Sequence, residues 1–165
     1  MAKLFQETNR KMATIFDPNF LDFINCLNKK EAKYVLVGGL AVIIHGVNRL
    51  TGDMDIFIEA SSENAKKVLA AIEDFGFGSI GFTEEDLLSP DSVVQMGRVP
   101  LRIDILSDLP AITFSEVFNK SILFEIEGIQ MKVIHVNHLI ANKEEVGREK
   151  DLMDVRLLKK KFKLK

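Results

Sequence analysis

Asp53-Met54-Asp55 sets two carboxylates two residues apart in a run of otherwise apolar residues. In a strand such residues share a face, with Cα atoms roughly 6.6 Å apart. Two carboxylates on one face repel each other and resist burial unless a cation lies between them. Divalent ions such as Mg²⁺ take oxygen ligands of this kind, and a pair of ions roughly 3.5–4 Å apart can be bridged and flanked by two acids. A third carboxylate would complete the shell. Asp104, inside the otherwise apolar Ile103-Asp104-Ile105-Leu106, is the candidate, because an unpaired acid there would be costly. Adjacent strands lie roughly 4.8 Å apart, so pairing of the two strands would bring it into range. Taken alone, the Asp53/Asp55 pair also fits a surface strand that alternates acids with apolar residues. Arg102 shares a strand face with Asp104, and either touches a phosphate or pairs with Asp104.

Upstream, Tyr34-Val35-Leu36-Val37 reads as a buried strand ended by Gly38-Gly39, and Leu40 to His45 as a short buried helix stopped by Gly46. Glycines permit close backbone approach, and free amides at a helix start attract phosphate. An isolated Gly-Gly is equally a tight turn. Thirteen residues, Leu40 to Gly52, separate the glycines from Asp53. That spacing allows one short helix and a return on an adjacent strand, so a phosphate cradle and metal carboxylates would meet at neighbouring strand ends. A site of that composition is a nucleotide site.

The remaining elements supply the frame. Asp17 caps, and Pro18 opens, an amphipathic helix through Phe20, Leu21, Phe23, Ile24 and Leu27. Asp53 to Glu59 reads as a strand. Ser61-Ser62 caps a helix through Phe75, stopped by Gly76. Val93 to Gly97 and Leu101 to Leu106 read as strands around a turn at Arg98-Val99-Pro100. A helix through Phe114, Val117 and Phe118 follows, then a hairpin of Ile122 to Glu127 and Ile129 to Val136 about Glu127-Gly128. Asn137 is expected to cap a helix to about Val146, Gly147 to break it, and Glu149 to Phe162 to form the last helix. The pattern predicts an α/β (α+β) fold, a mixed sheet of about five strands flanked by helices. The expected organisation is a single domain over 1–165, with a poorly specified lead-in at 1–16 and a C-terminal helical part at 137–165.

Composition narrows the function classes. The 165 residues are 47% hydrophobic and 28% charged, which excludes a disordered chain. The formal charge of −2 argues against a surface that tracks a phosphate backbone throughout, yet residues 143–165 carry +4 and the rest −6. One cysteine, Cys26, excludes an internal disulfide and fits a reducing, cytoplasmic setting; it reads as a core thiol. No apolar run reaches membrane-spanning length. Gly76-Phe77-Gly78-Ser79-Ile80-Gly81 matches G-x-G-x-x-G but follows a helix, so it reads as a helix stop rather than a dinucleotide fingerprint. His135 and His138 have no second ligand pair, and His45 reads as a packed, hydrogen-bonded residue. The lysines at 159, 160, 161, 163 and 165 read as a solvated end, with weak attraction to RNA as the alternative.

The stretch VGGLAVIIHGVNRLTGDMDIFI resembles the signature of the nucleotidyltransferase superfamily, the fold shared with DNA polymerase β and aminoglycoside nucleotidyltransferases. Its Gly46, Arg49, Thr51, Asp53 and Asp55 resemble small stand-alone prokaryotic members, including the nucleotidyltransferase toxins of abortive-infection systems. LIANKEEVGREKDLMDVRLL is similar to a Lys–Arg–Lys-Asp–Asp stretch of the same relatives. Gly52 and Met54 loosen the usual Thr-x-Asp-Ile-Asp form, and Gly147 interrupts the helix between Lys143 and Asp151. The resemblance implies Mg²⁺-dependent transfer of a nucleoside monophosphate from an NTP to an acceptor hydroxyl on RNA, protein or a small molecule. It implies that Asp53 and Asp55 bind two metal ions, and that Asp104 binds one and accepts or orients the attacking hydroxyl. Gly38 and Gly39 would hold the β- and γ-phosphates with Arg49 and Thr51 nearby. Lys143 would reach the triphosphate, and Asp151 would orient Lys143 or the nucleotide. The alternative is a catalytically idle relative that binds nucleotide or pairs with a protein such as an antitoxin.

Overall fold

The computed structural model describes residues 16–90, 92–98 and 100–165. The expected lead-in thus lies outside the described residues except for Phe16, as does Val99 of the expected turn at 98–100. Helix α1, Pro18–Lys29, begins where the Asp17 side chain accepts a 2.8 Å hydrogen bond from the Asn19 amide, with Pro18 in the first turn. It buries Phe20, Leu21, Phe23, Ile24 and Leu27, the face that the sequence spacing predicts.

Strand β1, Tyr34–Val37, is buried along its whole length and runs directly into helix α2, Gly38–Ile44. Helix α2 therefore starts at the glycine pair and not at Leu40; the glycines form its first turn. Strand β2, Asp53–Ile58, follows, then α3, Ser62–Asp74, capped by Ser61. A single 3-10 turn at Gly78–Ile80 and the short helix α4, Glu84–Leu88, precede β3, Val93–Arg98, and β4, Leu101–Leu106. The remaining elements are α5, Phe114–Lys120; β5, Ile122–Ile126; β6, Ile129–Val133; α6, Val136–Val146; and α7, Glu149–Phe162.

Among the described residues the six strands join one mixed sheet in the order β3-β4-β2-β1-β6-β5. The mixed sheet expected with about five strands is borne out with six, both antiparallel hairpins, β3/β4 and β5/β6, docking onto the central strands. At the centre β1 pairs antiparallel with β2, and β2 pairs parallel with β4. Consecutive residues of β1 and of the second half of β2 are buried, so helices cover both sheet faces there. Phe23 and Phe75 pack with ring centroids 5.2 Å apart, and Phe57 and Phe114 with centroids 5.3 Å apart. The outer strands β3 and β5 alternate exposed and covered residues, as half-solvated strands do. Strand β6 stops at Val133 rather than Val136, because the chain turns at once into α6, whose cap is His135 and not Asn137; its Nδ1 lies 3.3 Å from the Asn137 amide. Cys26 packs against the core but stays half-buried. Among the described residues no helix is long and apolar enough to cross a membrane.

Candidate functional site

The register of the central strands places the acids. Parallel pairing sets Asp55 directly beside Asp104 and Asp53 beside Arg102, while antiparallel pairing sets Asp55 opposite Val37. Asp55 thus faces the point where β1 turns into α2. That crowding explains the glycine pair. A Cβ on Gly38 would stand 2.0 Å from Asp55 Oδ2, and its φ of +66° already disfavours any side chain. A Cβ on Gly39 would stand 2.9 Å from Thr51 Oγ1 and 3.4 Å from the Arg49 guanidinium carbon.

Burial pushes the Asp55 carboxyl up from 3.8 to about 6, and the charges of Asp104 and Asp53 push in the same direction. The Gly39 amide and the Lys143 charge oppose the shift without cancelling it. Arg102 supplies the nearest countercharge to the other two acids. Its Nε donates to Asp104 Oδ1 at 2.6 Å, and its Nη2 donates to Asp104 Oδ2 at 2.8 Å and to Asp53 Oδ2 at 3.3 Å. Asp104 is buried, 7% exposed, so this pairing answers the cost of an acid in an apolar strand.

A second charged group stands across from the acids, built by α6 and α7. Lys143 is 5% exposed and donates from Nζ to Asp151 Oδ1 at 2.9 Å and to Asp154 Oδ2 at 2.7 Å. Asp151 also accepts from Arg148 Nε at 2.7 Å, and Asp154 from Arg49 Nη1. Three cations on two buried acids leave this ladder with a surplus positive charge. Gly147 permits it: the residue ends α6 in the left-handed conformation, φ +66°, and the chain doubles back so that α7 returns Asp151 to Lys143.

Both groups line one cleft of about 480 Å³, a volume in the range of small-molecule sites. Gly38, Gly39, Arg49, Thr51, Asp53, Asp55, Asp104, Lys143 and Asp151 all border it. The wall is completed by Arg102, Arg148, Lys150 and Asn142 and by a mainly apolar side that includes Leu106, Leu109 and Pro110. Asp154, the last acid of the Lys–Arg–Lys-Asp–Asp stretch, carries no assigned role in the sequence, and the structure places it three residues from Asp151 on the buried side of α7. Outside the cleft, His45 Nε2 pairs with the Ile134 carbonyl at 2.8 Å, as the sequence suggests. Gly76 to Gly81 holds the single 3-10 turn after α3 and not a strand-to-helix loop.

Among the described residues no group of three or more His, Cys, Asp or Glu side chains is arranged to hold a metal ion as it stands. The donor set nevertheless fits one in kind: three carboxylates on two neighbouring strands, one of them raised to about 6 by burial and by the other two, with a guanidinium in the cationic role.

The six-stranded mixed sheet flanked by helices, with Asp55 and Asp104 paired on two central strands, agrees with comparisons to known proteins, which give a nucleotidyltransferase or DNA polymerase β-like superfamily fold. The chain belongs to the family described as nucleotidyl transferase of unknown function (DUF2204), whose model matches residues 19–165. No curated protein matches it. Among solved structures it is similar to a candidate nucleotidyltransferase (TM1012) from Thermotoga maritima, with 14% identity, 81% of this chain and 86% of that one covered, and a TM-score of 0.57. It is also similar to ANT(2")-Ia, solved in complex with adenylyl-2"-tobramycin, with 15% identity, 86% of each chain covered and a TM-score of 0.51. At these identities the likeness is one of fold.

Proposed function

We propose that the chain moves a nucleoside monophosphate from an NTP to an acceptor hydroxyl on an RNA end, a protein or a small molecule, with release of pyrophosphate. One observation carries the reading: Asp53, Asp55 and Asp104 share a cleft with Lys143, Arg49 and Arg148, three cations set on the two buried acids Asp151 and Asp154. Asp53, Asp55 and Asp104 would hold two Mg²⁺ ions, which when bound offset charge on the attacking and leaving oxygens. Asp104 orients the acceptor hydroxyl or takes its proton as the hydroxyl oxygen bonds to the α-phosphorus and the bond to pyrophosphate breaks. Gly38 and Gly39 let the β- and γ-phosphates approach the backbone, beside Thr51 and Arg49. Lys143, held by Asp151 and Asp154, attracts the triphosphate from the opposite wall. The single cysteine favours a reducing, cytoplasmic setting.

A second reading has its own observation. Arg102 already pairs with both Asp53 and Asp104, which favours a fold that binds nucleotide, or a protein such as an antitoxin, without turnover. Labelling separates the two. With Mg²⁺, total RNA and lysate, each of the four α-labelled NTPs is offered to the chain, and transfer puts label into an RNA, protein or small-molecule fraction. Asp55→Ala should abolish it while circular dichroism stays unchanged. Metal-dependent NTP binding with no label anywhere favours the idle form, and full labelling by Asp55→Ala removes the role given to that acid.

A further inference from the structure

Arg102 is placed across from Asp53 in the β2/β4 pairing and two residues before Asp104 on β4. Its guanidinium takes both oxygens of Asp104 and one of Asp53. Those lone pairs are also the ones that a divalent cation would need, and a carboxylate oxygen facing a guanidinium fork is not free to face an ion. The two occupants compete. Arg102 also has somewhere to go. It is only partly buried, and the residue across from it on β3 is Gly97, so no cross-strand side chain hems the guanidinium on that flank.

We infer that Arg102 is an internal counter-ion that holds Asp53 and Asp104 in the metal-free chain and has to release them before a divalent ion can enter. The inference rests on the metal role proposed above for the acids. It makes Arg102 a positioning residue and a brake: apparent ion affinity falls by the fraction of molecules whose guanidinium is still engaged. The same contacts stabilise the metal-free fold, so loss of Arg102 should move ion affinity and metal-free stability in opposite directions. A purely structural arginine would lower both.

The test uses the full chain, Arg102→Gln and Arg102→Lys, with Mg²⁺ or Mn²⁺ as the only ligand. Calorimetry reads the ion affinity, and thermal unfolding in chelator and in excess ion reads the stability. Arg102→Gln should bind the ion about tenfold more tightly than the parent, consistent with a mostly engaged guanidinium, and should unfold at lower temperature in chelator. Lysine offers one point donor in place of a fork, so Arg102→Lys should fall between, and it carries the test if the glutamine variant does not fold. Equal or weaker ion binding by the variants overturns the inference while leaving the metal reading intact. No ion binding by the parent or either variant overturns the metal reading, and the brake with it.

Discussion

Asp55→Asn is expected to make the metal-free protein more stable, by an amount that grows as pH rises from 3.8 to about 6. Burial, with Asp104 and Asp53, raises the Asp55 carboxyl from 3.8 to about 6 in the folded chain. The folded state then binds this proton more tightly than the unfolded state, so stability falls as pH rises through the interval from 3.8 to about 6 and stays reduced above it. A shift of about two units corresponds to about 3 kcal/mol, and residual solvent contact at this half-buried side chain lowers the usable figure to about 1–2 kcal/mol. Asparagine has the same shape and no charge. In chelator at pH 8 the variant should exceed the parent by that amount, or by about 2–8 °C in Tm. At pH 4.5 the difference should fall to about a third of that. Asp151 acts with the opposite sign: burial pushes its carboxyl up, but the Lys143 and Arg148 contacts hold it below the usual range. That effect is common to both proteins and cancels in the comparison at each pH. Urea unfolding at several pH values from 4.5 to 8 measures the difference directly. A gap that does not change with pH, or a variant less stable than the parent at pH 8, would refute the crowding of charge at Asp55.

Lys143→Met should cost about 3 kcal/mol in urea unfolding, because it leaves the 3%- and 4%-exposed Asp151 and Asp154 without their shared cation. The double variant with Asp151→Asn should recover part of that loss, which simple misfitting of methionine would not allow. Gly38→Ala should cost about 1–2 kcal/mol from its left-handed backbone alone. It should also abolish Mg²⁺-dependent nucleotide binding in calorimetry with helical circular dichroism retained, since the new Cβ would displace the Asp55 carboxylate.

The acids were legible in the sequence because their signal is local. A carboxylate alternating with apolar residues in a strand is anomalous wherever it occurs, and the Asp53/Asp55 spacing already fixes a shared face. The sheet then needed only to pair β2 with β4 for Asp104 to arrive beside Asp55. The part that Asp154 plays is not local, because it depends on how distant elements meet. Asp154 matters because α7 folds back along α6, which lets one acid bind both Lys143 and Arg49, 105 residues away from it in the chain. Nothing within ten residues of Asp154 implies Arg49. Helix α4 is a different kind of omission. Its Thr83 and Asp86 form a reciprocal capping box, a local start signal directly after a glycine-rich stretch that itself predicts only a helix stop.

Gly52 shows the same limit from the other side. As a departure from the expected signature it reads as a loosening of the loop that delivers Asp53. In the fold, a Cβ there would stand 2.0 Å from the Pro100 carbonyl oxygen, and the Gly52 carbonyl accepts from the Arg102 amide at 3.2 Å. The missing side chain lets Pro100 close onto the residue before β2. That approach fixes the level at which Arg102 enters the sheet, opposite Asp53. A signature compares residue types position by position, so it registers glycine as a loss. The packing makes it the reason that a guanidinium reaches two of the three acids.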